Sequence, residues 1–86
     1  MPYIKEKERH DHDPLIGMSD FNLALNPGQL NYQITRLIQA YFVMHPNYQG
    51  INDVIGALEG AKMEFYRRVA APYEDKKILE NGDVYV

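Results

Sequence analysis

Cysteine is absent from the sequence, and that removes thiolate nucleophiles, zinc–thiolate centres and disulfide scaffolds from the chemistry open to it. Long apolar runs are missing too. Nothing approaches the roughly 18 consecutive apolar residues of a membrane span, and the first ten residues, MPYIKEKERH, are charged where a secretory signal needs an apolar stretch of about seven or more. A soluble, cytoplasmic chain is the expectation. Positive charge is also in short supply. Nine Lys and Arg stand against twelve Asp and Glu, for a net charge of −3, so the overall field repels nucleic acid and anionic lipid. No membrane partner and no long nucleic acid is expected; any polyanion would have to meet a local basic patch.

At 86 residues the chain makes a single domain, 1–86. Its 45% hydrophobic content, with seven tyrosines and three phenylalanines, suffices for a thin core. Without disulfides such a core leaves little net stability, which predicts a homo-oligomer. Internal repeats and low-complexity tracts are absent.

The longest periodic stretch, Ile51 to Tyr73, spaces Ile51, Val54, Ile55, Leu58, Ala61, Phe65 and Val69 by threes and fours, the pattern of one helical face. Gly56 and Gly60 form a second stripe of little bulk, with Arg67 nearly in line two turns on. Glycine inside a helix costs about 1 kcal/mol relative to alanine, so the pair marks a close approach by another helix or by a ligand. Upstream, Asn26-Pro27-Gly28-Gln29 supplies a cap, a first-turn proline and a capping-box glutamine. The helix it opens carries Leu30, Ile34, Leu37, Ile38, Tyr41 and Phe42 and stops at His45-Pro46. Two long helices joined by so few residues predict an antiparallel hairpin.

The remaining segments are less regular. Pro2 to Ile4 reads as a short strand, Lys5 to Asp13 as a charged loop, and Asp13-Pro14 as the start of a helix with Leu15, Ile16, Met18, Phe21, Leu23, Ala24 and Leu25 as its apolar content. Pro72 is expected to kink or restart the Ile51 helix. Tyr73 to Glu80 adds a last turn or two before Asn81-Gly82 ends it. Asp83 to Val86 then reads as a second strand, with Pro2 to Ile4 as its partner, in this chain or a neighbouring one. The fold class predicted is mainly α, a small helical domain with a helical hairpin core and short terminal β-strands.

The segments MPYI, PGQLNYQITRL and PNYQGINDVIGALEGAKMEFYRRVAAPYEDKKILENGDVY resemble a family of small proteins of unassigned function found in phages and bacteria. Leu30-Asn31-Tyr32 and Phe65 to Glu74 carry the most specific part of the likeness. The resemblance implies a recurrent domain, and host cytoplasm as the location if the chain is phage-encoded. It brings no reaction, cofactor or catalytic residue. The chain departs from the family pattern at His10 to His12 and from Gly17 to Asn26.

Catalytic constellations are hard to assemble. His10-Asp11-His12-Asp13 offers metal-ligand types, but in a charged loop with His45 far off in sequence a solvated segment is the better reading, and no metal or cofactor is expected. Glu59 and Glu64 are five apart, out of register for a shared Mg²⁺, and the Leu30 to Met44 helix has no carboxylate. There is no nucleophile elbow and no Gly-rich phosphate loop. The reading is non-enzymatic.

Tyrosines and arginines offer more. Tyr32 and Arg36 are four apart; Tyr66, Arg67 and Arg68 are adjacent, with Tyr73 just past the proline. Guanidinium forks pair with phosphate, and tyrosine rings stack on bases. The candidate ligand-binding set is therefore Tyr32, Arg36, Gly56, Gly60, Tyr66, Arg67, Arg68 and Tyr73, for a small anionic, nucleotide-type ligand held between subunits. One concrete version is a phage sponge that sequesters a host nucleotide signal, by analogy with other small oligomeric phage proteins. Against this, Arg67 and Arg68 fall at ordinary ion-pair spacings from Glu64, Glu74 or Asp75. A protein-interaction module, inhibitor or adaptor, is the alternative, and a small hydrolase stands behind both.

Overall fold

A computed structural model describes residues 4–15 and 23–85. The chain divides into two units, Met1–Thr35 and Arg36–Val86. Among the described residues the secondary structure is helical and contains no strand. A 3-10 turn spans Glu6–Glu8; the α-helices are α1 (Pro27–Met44), α2 (Tyr48–Phe65) and α3 (Ala71–Asn81), with a π-helical turn, Tyr66–Ala70, between the last two.

In the first unit, Asp13 Oδ1 accepts the Leu15 N–H at 2.9 Å, so the aspartate closes on its own downstream backbone as an Asx turn. Most of the helix expected after Asp13 lies outside the described residues. Its expected end does not: Leu23 to Leu25 is not helical. The reason is the cap that follows. Asn26 Oδ1 accepts the Gln29 N–H at 2.8 Å, and the Gln29 side chain reaches back to the Leu25 N–H at 2.8 Å. This is the expected capping box, shifted one residue upstream, and it holds the Leu25 N–H outside a helical ladder. The Leu30 N–H then donates to the Asn26 carbonyl at 3.0 Å and α1 begins.

Arg36–Val86 contains the corner between α1 and α2. The His45 N–H is shared between the carbonyls of Tyr41 and Phe42 at 3.1 and 3.2 Å, and the Asn47 N–H turns back to the His45 carbonyl at 2.9 Å. Asn47 caps α2 by accepting the Gly50 N–H at 2.8 Å. Gly50 is the one buried residue among those described, and a side-chain carbon there would collide with the His45 carbonyl. A glycine is required because the two helix ends pass so closely. Two side-chain contacts reinforce the corner: Tyr41 stacks on His45 with ring centroids 4.4 Å apart, and the Tyr41 hydroxyl donates to Asp53 Oδ2 at 2.8 Å.

Pro72 restarts the helix, one of the two responses expected of it: α3 begins at Ala71, with the proline in its first turn. A proline lacks the N–H of the i to i−4 ladder, and its ring crowds the carbonyl four residues back. The turn before the restart widens. The Ala71 N–H donates to the Tyr66 carbonyl, five residues back, which is the π spacing, and Pro72 then sits in the first turn of α3 where no N–H is needed. The helix closes at Gly82, whose φ of +83° suits glycine and whose N–H reaches the Ile78 carbonyl at 2.8 Å.

The expected terminal strands are corrected where they are described. Tyr85 gives its N–H to Asp83 Oδ1 at 2.9 Å, an Asx turn that uses the donor a strand would offer to its partner. Ile4 lies in a bend; Pro2, Tyr3 and Val86 lie outside the described residues.

No described hydrophobic residue is buried. On α1 Leu37 keeps 60% of its surface, and on α2 Ile55 keeps 61%, Leu58 40% and Phe65 64%. Both helices have the amphipathic pattern, and the apolar side of each meets solvent.

Candidate functional site

The candidate residues that come together do so at the π-turn. Arg67 Nη2 lies 3.1 Å and Arg68 Nε 2.9 Å from the same atom, Glu64 Oε1. A regular helix would place residues 67 and 68 at i+3 and i+4 from Glu64, both within reach of its carboxylate. The two guanidinium groups hold the Glu64 carboxyl below the ordinary glutamate range, chiefly through these hydrogen bonds. Two cations share one carboxylate at an exposed surface.

Tyr66 points the other way along the chain. Its hydroxyl donates to Glu74 Oε2 at 2.9 Å, spanning the π-turn from Tyr66 to α3. That bond and the Glu74 charge raise the Tyr66 hydroxyl above its usual pKa, because ionisation would place two anions side by side. Glu74, an expected arginine partner, is thus engaged by a tyrosine. Tyr73 has Lys77 Nζ 5.6 Å from its ring centroid, within cation–π range, and Lys77 also pairs with Glu80 at 3.0 Å.

The other candidates stand apart from this group. Arg36 donates from Nη1 to Gln39 Oε1 at 3.1 Å on α1 and lines an open groove with Ile38, Gln39, Phe42 and Val43. Tyr32 is exposed on the same helix, in the Met1–Thr35 unit. Gly56 and Gly60 lie on α2, and a side-chain carbon added at either would meet nothing within 4 Å. Among the described residues, therefore, nothing closely approaches the glycine stripe. At the N-terminal tract His10 Nδ1 is 3.7 Å from Asp11 Oδ1 with both side chains solvated. No group of three or more metal-ligating side chains occurs among the described residues.

The cluster that sequence spacing did not single out is at the α1–α2 corner. Asp53 accepts from Gln49 Nε2 at 2.7 Å as well as from Tyr41, and these two bonds, with a smaller contribution from His45, lower its carboxyl below the ordinary aspartate value. Asp53 in turn raises the Tyr41 hydroxyl, chiefly through the hydrogen bond. The available signal was Tyr41 and His45 one turn apart, with Gln49 and Asp53 one turn apart across the His45-Pro46-Asn47 link.

None of the described helices is long and apolar enough to cross a membrane. No curated protein and no solved structure matches the chain. A family model matches residues 1–84, and so runs through His10 to His12 and Gly17 to Asn26, the segments expected to depart from the family pattern. By that match the chain belongs to the family of the domain of unknown function DUF6899.

Proposed function

We propose that this chain is a non-enzymatic, homo-oligomeric binding protein for a small anionic, nucleotide-type ligand. The observation that carries the ligand is the convergence of Arg67 and Arg68 on the single oxygen Glu64 Oε1. One carboxylate leaves a positive charge over, on forks suited to a phosphate. Tyr66 and Tyr73 flank the pair in sequence and offer rings for stacking, while Arg36 and Tyr32 join from a neighbouring subunit. Gly56 and Gly60, open to close approach, serve as the pocket floor. The exposed apolar sides of α1 and α2 support the assembly, with α1 packed antiparallel on α2 as its core. Sequestration of a host nucleotide signal is the concrete form of this function.

Thermal-shift and calorimetric titration with mono-, di- and cyclic nucleotides tests it. Binding by the purified protein, release of intact ligand on denaturation, and loss of binding in Arg67→Ala with the helical spectrum unchanged are expected. Altered ligand would mean an enzyme, and no response to any nucleotide would overturn the ligand.

The second reading, a protein-interaction module that inhibits or adapts a host protein, is favoured by one observation. Exposed Leu37, Ile55 and Phe65 would also suit the apolar centre of a protein interface. A stable monomer by light scattering at micromolar concentration would remove the homo-oligomer and leave this reading.

A further inference from the structure

Resting on the homo-oligomer proposed above, we infer that the apolar face of α2 is covered by α1 of a second copy, and that copy's α2 by α1 of the first, in a reciprocal exchange. The first support is register. The apolar positions of α1, Leu30, Ile34, Leu37, Tyr41 and Met44, step by four, three, four and three. Read backwards along α2, Phe65, Ala61, Leu58, Val54 and Ile51 step by four, three, four and three as well. Antiparallel alignment therefore sets each of these five side chains of α1 against one of the five of α2, and Leu37 meets Leu58. The helices match in length, at 18 residues each.

Charge is complementary too. Arg36 is the only charged residue of α1, whereas α2 carries Asp53, Glu59 and Glu64 against a lone Lys62. A pair of α2 helices would bring like charges together; α1 on α2 does not.

The third support decides between one chain and two. Within Arg36–Val86 the contacts that join α1 to α2 are those of the corner, and there the geometry is over-determined. Asn47 caps Gly50, Gly50 abuts the His45 carbonyl, and Tyr41 is tied to Asp53. With these contacts in place Leu37 and Leu58 remain exposed. Closing the hairpin within one chain would have to reopen the corner, whereas a second copy covers both faces and leaves it intact. A short, fixed hinge that cannot fold its arm back is the usual condition for exchange between identical chains.

The cysteine-free sequence makes the test direct. Leu37→Cys and Leu58→Cys variants, each carrying one cysteine, are mixed and oxidised, and the Leu37→Cys/Leu58→Cys double variant is oxidised alone. Exchange predicts a covalent dimer from the mixture and from the double variant. A double variant that closes on itself and runs as a monomer, with no dimer from the mixture, overturns the exchange in favour of a closed hairpin. If light scattering still finds an oligomer, the proposed function survives that result; if it finds a monomer, both fall. Should either variant fail to fold, the unmodified protein decides, as a mixture of isotope-labelled and unlabelled chains. Inter-chain contacts between the Leu37 and Leu58 methyl groups are expected, and contacts confined to one chain overturn the exchange.

Discussion

The Tyr41 hydroxyl donates to Asp53 Oδ2 at 2.8 Å, tying the last turn of α1 to the second turn of α2 across the His45-Pro46-Asn47 link. Both partners are in the protonation state the bond needs at neutral pH, and the bond itself shifts both of them. Asp53 has its carboxyl lowered in the fold, so its contribution is fully present above the ordinary aspartate value of about 3.9 and is lost as pH falls through the lower folded value. Tyr41 has its hydroxyl raised, so its contribution is fully present below about 10 and is lost as pH rises through the higher folded value. The corner should hold between those limits and loosen outside them. An ultraviolet titration should show two tyrosines ionising late in the unmodified protein, Tyr41 and Tyr66, and only one of them, Tyr66, in Tyr41→Phe. Two late-ionising tyrosines persisting in the variant would assign the shift elsewhere.

Among the described glycines, Gly50 should be the least replaceable. Alanine normally favours a helix, but here its methyl group would overlap the His45 carbonyl, and helix and link would have to part. Gly50→Ala is expected to destabilise the protein by about 1 to 3 kcal/mol, the usual cost of overpacking, read as a lower denaturant midpoint. An unchanged or higher midpoint would mean that the link yields freely.

How legible this was in the sequence varied with the range of the interaction. Both ends of α1 followed from local chemistry, the Asn26-Pro27-Gln29 cap and the Pro46 stop, and the Arg67 and Arg68 pairing with Glu64 followed from helical spacing. The response to Pro72 did not, because a missing N–H tells where the ladder fails but not whether the chain bends or widens to the Ala71-to-Tyr66 bond. Asp83 to Tyr85 alternates like a strand, yet Asp83 captures the Tyr85 N–H, a short-range competitor that apolar patterning does not register. The corner cluster needed the turn geometry itself, since Tyr41 and Asp53 are twelve residues apart.

Pro72 should be what maintains the π-turn. With Pro72→Ala an N–H becomes available to the Arg68 carbonyl, and a regular α-helix can run from α2 into α3. The variant is expected to gain about 1 to 3 kcal/mol of helix stability and to show a stronger helical ellipticity. It also turns α3 relative to α2, parting Tyr66 from Glu74, so the raised Tyr66 hydroxyl should return toward its ordinary value. Retention of that raised value would place the cause of the π-turn elsewhere.

Gly56 and Gly60 separate stability from function. Each has open space where a side chain would begin, so Gly56→Ala and Gly60→Ala should each stabilise α2 by about 1 kcal/mol. If the stripe is the pocket floor, both should lose nucleotide binding while their denaturant midpoints rise. Binding that survives in both variants would remove the glycines from the site.

Glu64 gives the sharpest test of the arginine pair, because it competes with any anion for the same two guanidinium groups. Glu64→Gln keeps the shape and removes the charge, leaving Arg67 and Arg68 without the ionised carboxylate they share at 3.1 and 2.9 Å. A phosphate-bearing ligand should then bind about fivefold more tightly, the effect of removing one like charge at contact distance in water. The affinity of both forms should fall as salt is raised. Weaker binding in Glu64→Gln would show that the carboxylate holds the arginines in place for the ligand. An affinity unmoved by both the substitution and salt would mean that the ligand is bound away from the π-turn.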